Sequence, residues 1–201
     1  MKKTKIAVLV SGGGTNLQAL IDAERAGKIP HGEIVLVLSS KDGVYALERA
    51  RLAGIPSVVI PKKGMAQDAF EDALLAALKD AGAELCVLAG FLSILGPRVI
   101  EAYRDRIINV HPSLIPSFCG AGFYGLRVHE AALEYGVRVT GATVHLVNEI
   151  PDGGRILLQK AVDILDGDTP EILQRRVMEK AEWKLLPRAT EMMAKAIAME
   201  K

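Results

Sequence analysis

Ile6-Ala7-Val8-Leu9-Val10-Ser11-Gly12-Gly13-Gly14-Thr15-Asn16 joins a continuous β-rich apolar run to three glycines, and Leu17 to Ala26 behind it carries helical spacing closed by Gly27. The pattern is strand, loop, helix, and it recurs. Ile34 to Leu38 repeats the strand signal, Tyr45 to Ala53 reads as a short helix ended by Gly54, and Ser57 to Ile60 as a third strand. Met65 to Lys79 reads as a helix ended near Gly82, Leu85 to Ala89 as a fourth strand, and Ile107 to Val110 as a buried strand entering the loop His111 to Gly125. Short apolar runs alternating with amphipathic helices are what a parallel sheet covered on both faces requires, since each crossover needs a dozen or so residues.

After a helix over Val128 to Tyr135 the pattern changes. Two β-rich stretches, Val137 to Val147 and Arg155 to Ile164, are joined by Pro151-Asp152-Gly153-Gly154, which predicts neighbouring antiparallel strands. From Pro170 onward a helix is expected, with Asp168 or Thr169 as cap, Glu171 in the first turn and a break or kink at Pro187. The expected fold class is therefore α/β: a doubly wound, mostly parallel sheet with helices on both faces and an antiparallel C-terminal strand pair.

The 201 residues carry 25 basic and 24 acidic side chains, so no large net field points to a polyanion or an anionic membrane as partner. Any anion must be held locally. Half the residues are hydrophobic and few are aromatic, which suits an aliphatic core in a single domain over 1–201. No apolar run approaches the roughly 18 residues of a membrane span, and the apolar stretch behind the N-terminal lysines is cut short by the glycines, so a soluble cytoplasmic protein is expected. Cys86 lies in an apolar run and reads as core, whereas Cys119 sits near glycines and has room to be exposed.

The glycine loop lies where free backbone N–H groups and the positive end of a helix can hold an anion, with Thr15 and Asn16 as added donors. It lacks the Gly-Lys-Ser/Thr ending of a nucleotide-triphosphate loop, and the third glycine of a dinucleotide fingerprint falls at Leu17. A phosphate monoester fits it; so does a tight turn with no ligand. Farther on, Asn109 and His111 lie two residues apart at the end of a predicted strand and so face the same side. An amide and an imidazole placed together can hold a carbonyl oxygen and then support its negative charge. Asp152, in a glycine-rich turn, would raise the His111 pKa if it came near and make the ring a general acid. Taken singly, His111 is equally well a structural histidine, and Asp152 reads better as a turn residue before Gly153. No Gly-x-Ser-x-Gly nucleophile is present, and His111, His129 and His145 lack metal spacing, so neither an acyl-enzyme nor a metal is expected.

With the glycine loop, Asn109-Val110-His111-Pro112-Ser113-Leu114-Ile115-Pro116 and Asp152-Gly153-Gly154 together, the chain resembles the folate-dependent phosphoribosylglycinamide formyltransferases. Leu88-Ala89-Gly90-Phe91-Leu92-Ser93-Ile94-Leu95 and Gly141-Ala142-Thr143-Val144-His145 share in the resemblance, which runs from Lys5 to about Pro187. It implies a one-carbon transferase of purine synthesis that moves the formyl group of 10-formyltetrahydrofolate, a co-substrate, to the amine of glycinamide ribonucleotide. Asn109 and protonated His111 would hold the formyl oxygen, and Asp152 would keep His111 charged. Gly14, Thr15 and Asn16 would bind the substrate phosphate and ribose region, with Glu182 near the glycinamide end, although Glu182 alone also reads as a solvated helix charge. The pterin would lie against Leu92, Ser93, Ile94 and Leu95, Asn109, and the loop Asn148, Glu149, Ile150, Pro151 and Asp152. An N-terminal phosphate-binding part, about 1–100, would precede a folate-binding and catalytic part, about 101–201.

The sequence departs from that family where Gln67 and Ser93 stand in place of frequent arginines, and where Ser117 to Tyr124 is longer and richer in glycine. A formyltetrahydrofolate hydrolase would be expected to carry an amino-terminal regulatory domain and a second histidine at the position of Pro112. A methionyl-tRNA formyltransferase would carry a further RNA-binding domain and a basic surface, and a non-catalytic sensor would lose one or more of Asn109, His111 and Asp152. The expected partners are small molecules, with no nucleic acid and no membrane, and the chain is expected as a monomer or homodimer.

Overall fold

The structure, a computed structural model, describes residues 2–200. The first half runs β1 (Thr4–Val10), α1 (Thr15–Arg25), β2 (Gly32–Ser39), α2 (Tyr45–Ala53), β3 (Ser57–Val59), α3 (Gln67–Asp80), β4 (Leu85–Leu88) and α4 (Pro97–Ala102). The second runs β5 (Ile107–His111), α5 (Leu126–Tyr135), β6 (Val139–Leu146), β7 (Ile156–Asp163), α6 (Pro170–Val177), a π turn over Met178–Glu182 and α7 (Trp183–Met199).

The strands form one sheet in the order β3-β2-β1-β4-β5-β6-β7. Its first five members pair in parallel, whereas β6 runs antiparallel to both β5 and β7. This is the mixed, mostly parallel α/β fold that the alternating apolar runs predict. The two-residue period of β1 sends Ile6, Val8 and Val10 into the core on one face and Ala7 and Leu9 into the core on the other, all fully buried. One face is covered by α1, α2, α5, α6 and α7 through residues such as Leu17, Leu20, Ala46, Ala132, Leu173 and Leu186; the other is covered by α3 and α4 through Phe70, Leu74, Leu78 and Val99. Each of the buried leucines, the valine and the phenylalanine stabilises the fold by about 1.5–3 kcal/mol relative to exposure, and the alanines by less.

The strand order reverses between β1 and β4, because β2 and β3 extend to one side of β1 and the chain then returns to its other side. Connections leaving a reversal of this kind part company and open a crevice at the carboxyl ends of the strands. Here the Leu92 backbone N–H donates to the Ser11 hydroxyl at 2.9 Å, and that hydroxyl lies 2.6 Å from the Ser40 hydroxyl, which ties the segments after β1, β2 and β4 together.

Four local differences from the sequence reading have physical causes. His111 is the last residue of β5 and not the first of a loop, because its backbone remains paired opposite Thr143. The six-residue α4 is too short for periodicity to reveal, although Pro97 starts it where a missing N–H costs nothing. α1 begins at Thr15, ahead of the apolar spacing that starts at Leu17, and the strands around the C-terminal turn end a residue or two inside the predicted limits. Pro187 lies inside α7 without ending it; the irregularity falls earlier, at the π turn, and the clash of the proline ring is confined to the helix's opening turns. Thr169 does cap α6, its hydroxyl accepting from the Ile172 N–H, with Pro170 and Glu171 in the first turn.

Gly14 caps α1 at a φ of 74°, and a Cβ there would lie 2.7 Å from the Ala46 side chain and 2.9 Å from its Cα. Gly27 has a similar φ of 69° with open space around it. We expect Gly14→Ala to destabilise the protein by about 2 kcal/mol or more, from backbone strain and overpacking together, and Gly27→Ala by roughly 1 kcal/mol from strain alone. Urea denaturation midpoints measure the difference, and equal midpoints for the two variants would contradict it.

Candidate active site

A cleft of about 760 Å³ is lined by Asn16 in the first turn of α1, by the segment that follows β4, by the second half of β5, by Gly120 to Gly125 and by the loop between β6 and β7. Asn109, His111 and Asp152 meet in it. Leu92, Ser93, Ile94 and Leu95 supply one stretch of wall, and Asn148, Glu149, Ile150 and Pro151 another. Asn16 and Glu182 also line it, as a bonded pair in which the Asn16 amide donates to a Glu182 carboxylate oxygen at 2.7 Å. Gly14 and Thr15 do not border the cleft. Thr15 instead borders a separate groove alongside α1, and its hydroxyl contacts the Met178 sulfur at 3.7 Å.

β5 brings Asn109 and His111 to the cleft from one strand, as the two-residue period requires. Asp152 reaches them from a turn in which it adopts a φ of 55°, a left-handed conformation that aspartate tolerates better than most residues. Gly154 makes that turn possible: a Cβ on it would sit 1.7 Å from the Leu146 carbonyl oxygen. One Asp152 oxygen accepts the Gly120 backbone N–H at 2.9 Å and lies 3.4 Å from His111 Nδ1. The other lies 3.4 Å from both the Asn109 amide nitrogen and His145 Nε2.

His145, which sequence reasoning missed, is therefore part of the cluster. Antiparallel pairing sets it directly opposite Asn109, with the amide nitrogen 3.2 Å from its Nε2. Its Nδ1–H donates to the Leu146 carbonyl at 2.7 Å, which leaves Nε2 facing the Asn109 amide and Asp152. The signal for it was available only jointly, in the pairing of two strands and not in either one. Gly120 was missed as well, because a backbone donor leaves no mark in residue type.

The His111 ring is 5 % exposed and lies between two acceptors, since its Nε2–H donates to the Phe118 carbonyl at 2.8 Å while Nδ1 faces Asp152. Two acceptors favour the imidazolium, yet burial opposes it more strongly. Burial lowers the His111 pKa below the ordinary histidine value, against the smaller upward pulls of the Phe118 carbonyl and the Asp152 carboxylate. The expectation that Asp152 raises this pKa is thus corrected: its contribution has the expected sign, but desolvation decides the net direction. For Asp152 the balance tips the other way, because burial raises its pKa while His145, the Gly120 N–H and His111 together hold it below the usual carboxylate range. Because the Phe118 carbonyl can only accept, Nε2 keeps its proton in the neutral form of His111, and Nδ1 donates to Asp152 only when the ring is an imidazolium.

Glu182 ends the π turn and is buried. Burial pushes its carboxyl up to about 7, against the opposing pull of the Asn16 amide. His129, on α5, is fully buried with both ring nitrogens unpartnered, and burial, with His111 nearby, pulls its pKa down to about 4. Of the two cysteines, Cys86 is buried in the core with its thiol pushed up by desolvation; Cys119 is partly exposed, and its thiol donates to the Pro116 carbonyl. Among the described residues no cluster of three or more histidine, cysteine or carboxylate side chains is placed to hold a metal ion. Nor is any helix long and apolar enough to cross a membrane.

The sequence profile of the formyl transferase family matches residues 4–190. The chloroplastic phosphoribosylglycinamide formyltransferase of Arabidopsis thaliana is 40 % identical over 181 residues, which cover 89 % of this chain and 62 % of that protein. The trifunctional purine biosynthetic protein adenosine-3 of Gallus gallus is 45 % identical over 193 residues, covering 96 % of this chain but 18 % of the relative. The chain thus spans less than a fifth of that trifunctional relative's length. Among solved structures, glycinamide ribonucleotide transformylase 1 from Symbiobacterium toebii superposes with a TM-score of 0.90 at 40 % identity, covering 96 % of this chain and 89 % of the other. Phosphoribosylglycinamide formyltransferase from Brucella melitensis superposes with a TM-score of 0.87 at 42 % identity, covering 96 % of both chains.

The depressed His129 pKa has a consequence for stability. A histidine at about 4 in the folded protein and 6.5 when unfolded contributes stability fully present above pH 6.5 and lost as pH falls toward 4. The loss amounts to ~3 kcal/mol at 1.36 kcal/mol per unit. His129→Leu should remove this part of the acid limb, so that its urea midpoint falls less steeply than the wild type's between pH 6.5 and 4. Parallel curves would show that His129 does not titrate in this way.

Proposed function

The chain belongs to the formyl transferase family, and from that premise we propose that it transfers the formyl group of 10-formyltetrahydrofolate to the primary amine of glycinamide ribonucleotide in purine biosynthesis. The observation that carries this reading is the Asp152 carboxylate within 3.4 Å of both Asn109 and His111, inside a cleft whose lining combines two kinds of surface. Leu92 and Ile94 contribute exposed apolar surface, 52 % and 74 % of their area, and the turn Asn148 to Asp152 contributes polar groups. A flat, edge-polar pterin suits such a lining. The Asn16–Glu182 pair lines the cleft as well, with Asn16 in the first turn of α1, where a phosphate monoester is favoured.

In the proposed transfer the acceptor amine attacks the formyl carbon, and the charge that develops on the formyl oxygen is met by the Asn109 amide and His111 Nε2–H. In the free cleft those donors are engaged, the amide toward His145 and Asp152 and the imidazole toward the Phe118 carbonyl. Binding therefore exchanges these partners for the formyl oxygen. Attack leaves the acceptor nitrogen as an ammonium; its proton is taken up at His111 Nδ1, the nitrogen beside Asp152, and the Nε2 proton is delivered to the folate nitrogen as the bond from that nitrogen to the formyl carbon breaks. Orientation and electrostatic stabilisation supply the acceleration, with no covalent enzyme intermediate. Glu182, once ionised, accepts from the amine end of the acceptor and orients it.

Release of tetrahydrofolate, followed by absorbance with and without glycinamide ribonucleotide, tests the assignment. Turnover should require the amine, and formate release in its absence at an equal rate would identify a hydrolase instead. His111→Ala should lower kcat roughly 100-fold or more while leaving acceptor binding largely intact, the usual scale for a lost acid or oxyanion donor. An unchanged kcat would remove His111 from the chemistry.

Because the Glu182 carboxyl titrates near about 7, its charged form is lost as pH falls below that value. The wild-type KM for the acceptor should rise on that acid side. Glu182→Gln should raise KM roughly 10-fold at pH 8, as expected for a lost charge-assisted hydrogen bond, and show a flatter pH dependence. A variant KM equal to the wild type's at pH 8 would place Glu182 outside acceptor binding.

A further inference from the structure

Beside α1 and α7 lies a second concavity, of about 790 Å³, that the proposed transfer does not use. Thr15 borders it while the adjacent Asn16 borders the cleft, and Trp183 borders it while the adjacent Glu182 borders the cleft. The two spaces are therefore separate, and the chain passes from one lining to the other at Thr15–Asn16 and at Glu182–Trp183.

The groove combines an apolar floor with a cationic rim. Trp183, Pro187 and Ala23 contribute the floor; Lys28, Arg49, Lys184 and Arg188 contribute the rim. Asp22 and Glu191 also border it, yet both are engaged, Asp22 by the Gln18 amide at 2.9 Å and Glu191 by His31. Among the described residues the side chains of Lys28, Lys184 and Arg188 have no hydrogen-bonding or ion-pair partner, and the Arg49 guanidinium bonds only to the Gly13 carbonyl and the Gln18 side-chain oxygen while stacking on Tyr45. Elsewhere on the surface arginines pair with carboxylates, as in Arg51 with Glu48, Arg106 with Glu200 and Arg138 with Asp166. The indole N–H of Trp183 is buried and unpartnered as well. Four cations against the two carboxylates Asp22 and Glu191, beside an aromatic side chain, match a ligand with a flat apolar body and more than one negative charge. The volume lies within the 300–1,000 Å³ or so usual for small-molecule sites.

We infer that this groove is a second ligand site that takes a nucleoside phosphate, its base against Trp183 and Pro187 and its phosphates held by Lys28, Arg49, Lys184 and Arg188. The inference does not depend on the proposed transfer. It predicts binding outside the cleft, and Trp183, the only tryptophan in the chain, reports on it directly.

Titration of the full chain with AMP, ATP and inorganic phosphate, followed by tryptophan fluorescence at low ionic strength, tests it. The expected result is a saturable change that is tighter for ATP than for AMP and weakest for inorganic phosphate. The double variant Lys184→Gln, Arg188→Gln alters two exposed side chains, so an unchanged circular dichroism spectrum verifies its fold. It should weaken ATP binding about tenfold or more, equivalent to about 1.4 kcal/mol. Saturating glycinamide ribonucleotide should leave the ATP titration in place. The inference is overturned by the absence of a saturable change, by equal affinities in wild type and double variant, or by inorganic phosphate binding as tightly as AMP. Displacement of ATP by glycinamide ribonucleotide would also overturn it, since that places the nucleotide in the cleft.

Discussion

A carboxylate that is largely removed from water and has no lysine or arginine beside it must be held by dipoles and rings, and Asp152 is in that position. Its side chain is 14 % exposed, and the groups around it are a backbone N–H, an amide and two imidazoles. Those four come from three parts of the chain: β5, β6 and the glycine-rich segment after the Ile115-Pro116 cis bond. Since stabilisation of the charge depends on all of them, the turn that carries Asp152 and the segment that carries Gly120 are fixed against each other. The close packing of Gly154 on the Leu146 carbonyl reflects the same constraint, because only a residue without Cβ lets the turn sit low enough to bring the carboxylate to the strand.

The change in strand direction at β5 is what assembles this cluster. β5 and β6 are joined through α5, as parallel neighbours would be, but a parallel β6 would run in the same direction as β5 and send its outgoing loop to the same end of the sheet. With β6 antiparallel, Asn109 faces His145 across the pair, and the chain leaving β6 passes directly into the turn that carries Asp152. The parallel half contributes differently. Its reversal between β1 and β4 parts the glycine loop from the segment Gly90 to Leu95, and the bond from Leu92 to the Ser11 hydroxyl limits how far they part. The parallel half thus holds the segment after β4 against the glycine loop, and the antiparallel half brings Asn109, His111, His145 and Asp152 together.

Much of this architecture was legible in the sequence because it rests on local rules. The alternation in Ile6 to Val10, the cap at Thr169 with Pro170 behind it, and the strand pair around Pro151 to Gly154 each follow from neighbouring residues. Asn109 and His111 share a face for the same reason. His145 was not legible as a site residue, since its role depends on the register between β5 and β6, which no single segment encodes. Thr15 and Asn16 looked equivalent in the glycine loop, whereas consecutive residues at a helix start diverge by about 100° and line different concavities. The π turn also escaped notice, because an extra residue in a helical turn leaves the apolar spacing on either side intact.

The sign of the His111 shift was misread for a related reason: charge pairing is visible in residue types, but desolvation depends on everything packed around the ring. That reversal changes how the proposed chemistry is understood. A histidine held protonated before substrate binds would bring a full positive charge into a cleft that must then accept an amine, and it would already be committed to Asp152. A neutral ring with its proton fixed on Nε2 by the Phe118 carbonyl is instead a directed donor whose basicity is still available. Negative charge developing at the formyl oxygen adds to that of Asp152, and the two together oppose the desolvation that keeps the ring neutral. The imidazolium is then stabilised at the stage of the reaction where an acid is needed, and the same burial that lowers the pKa in the free cleft strengthens the interaction once the charge is there.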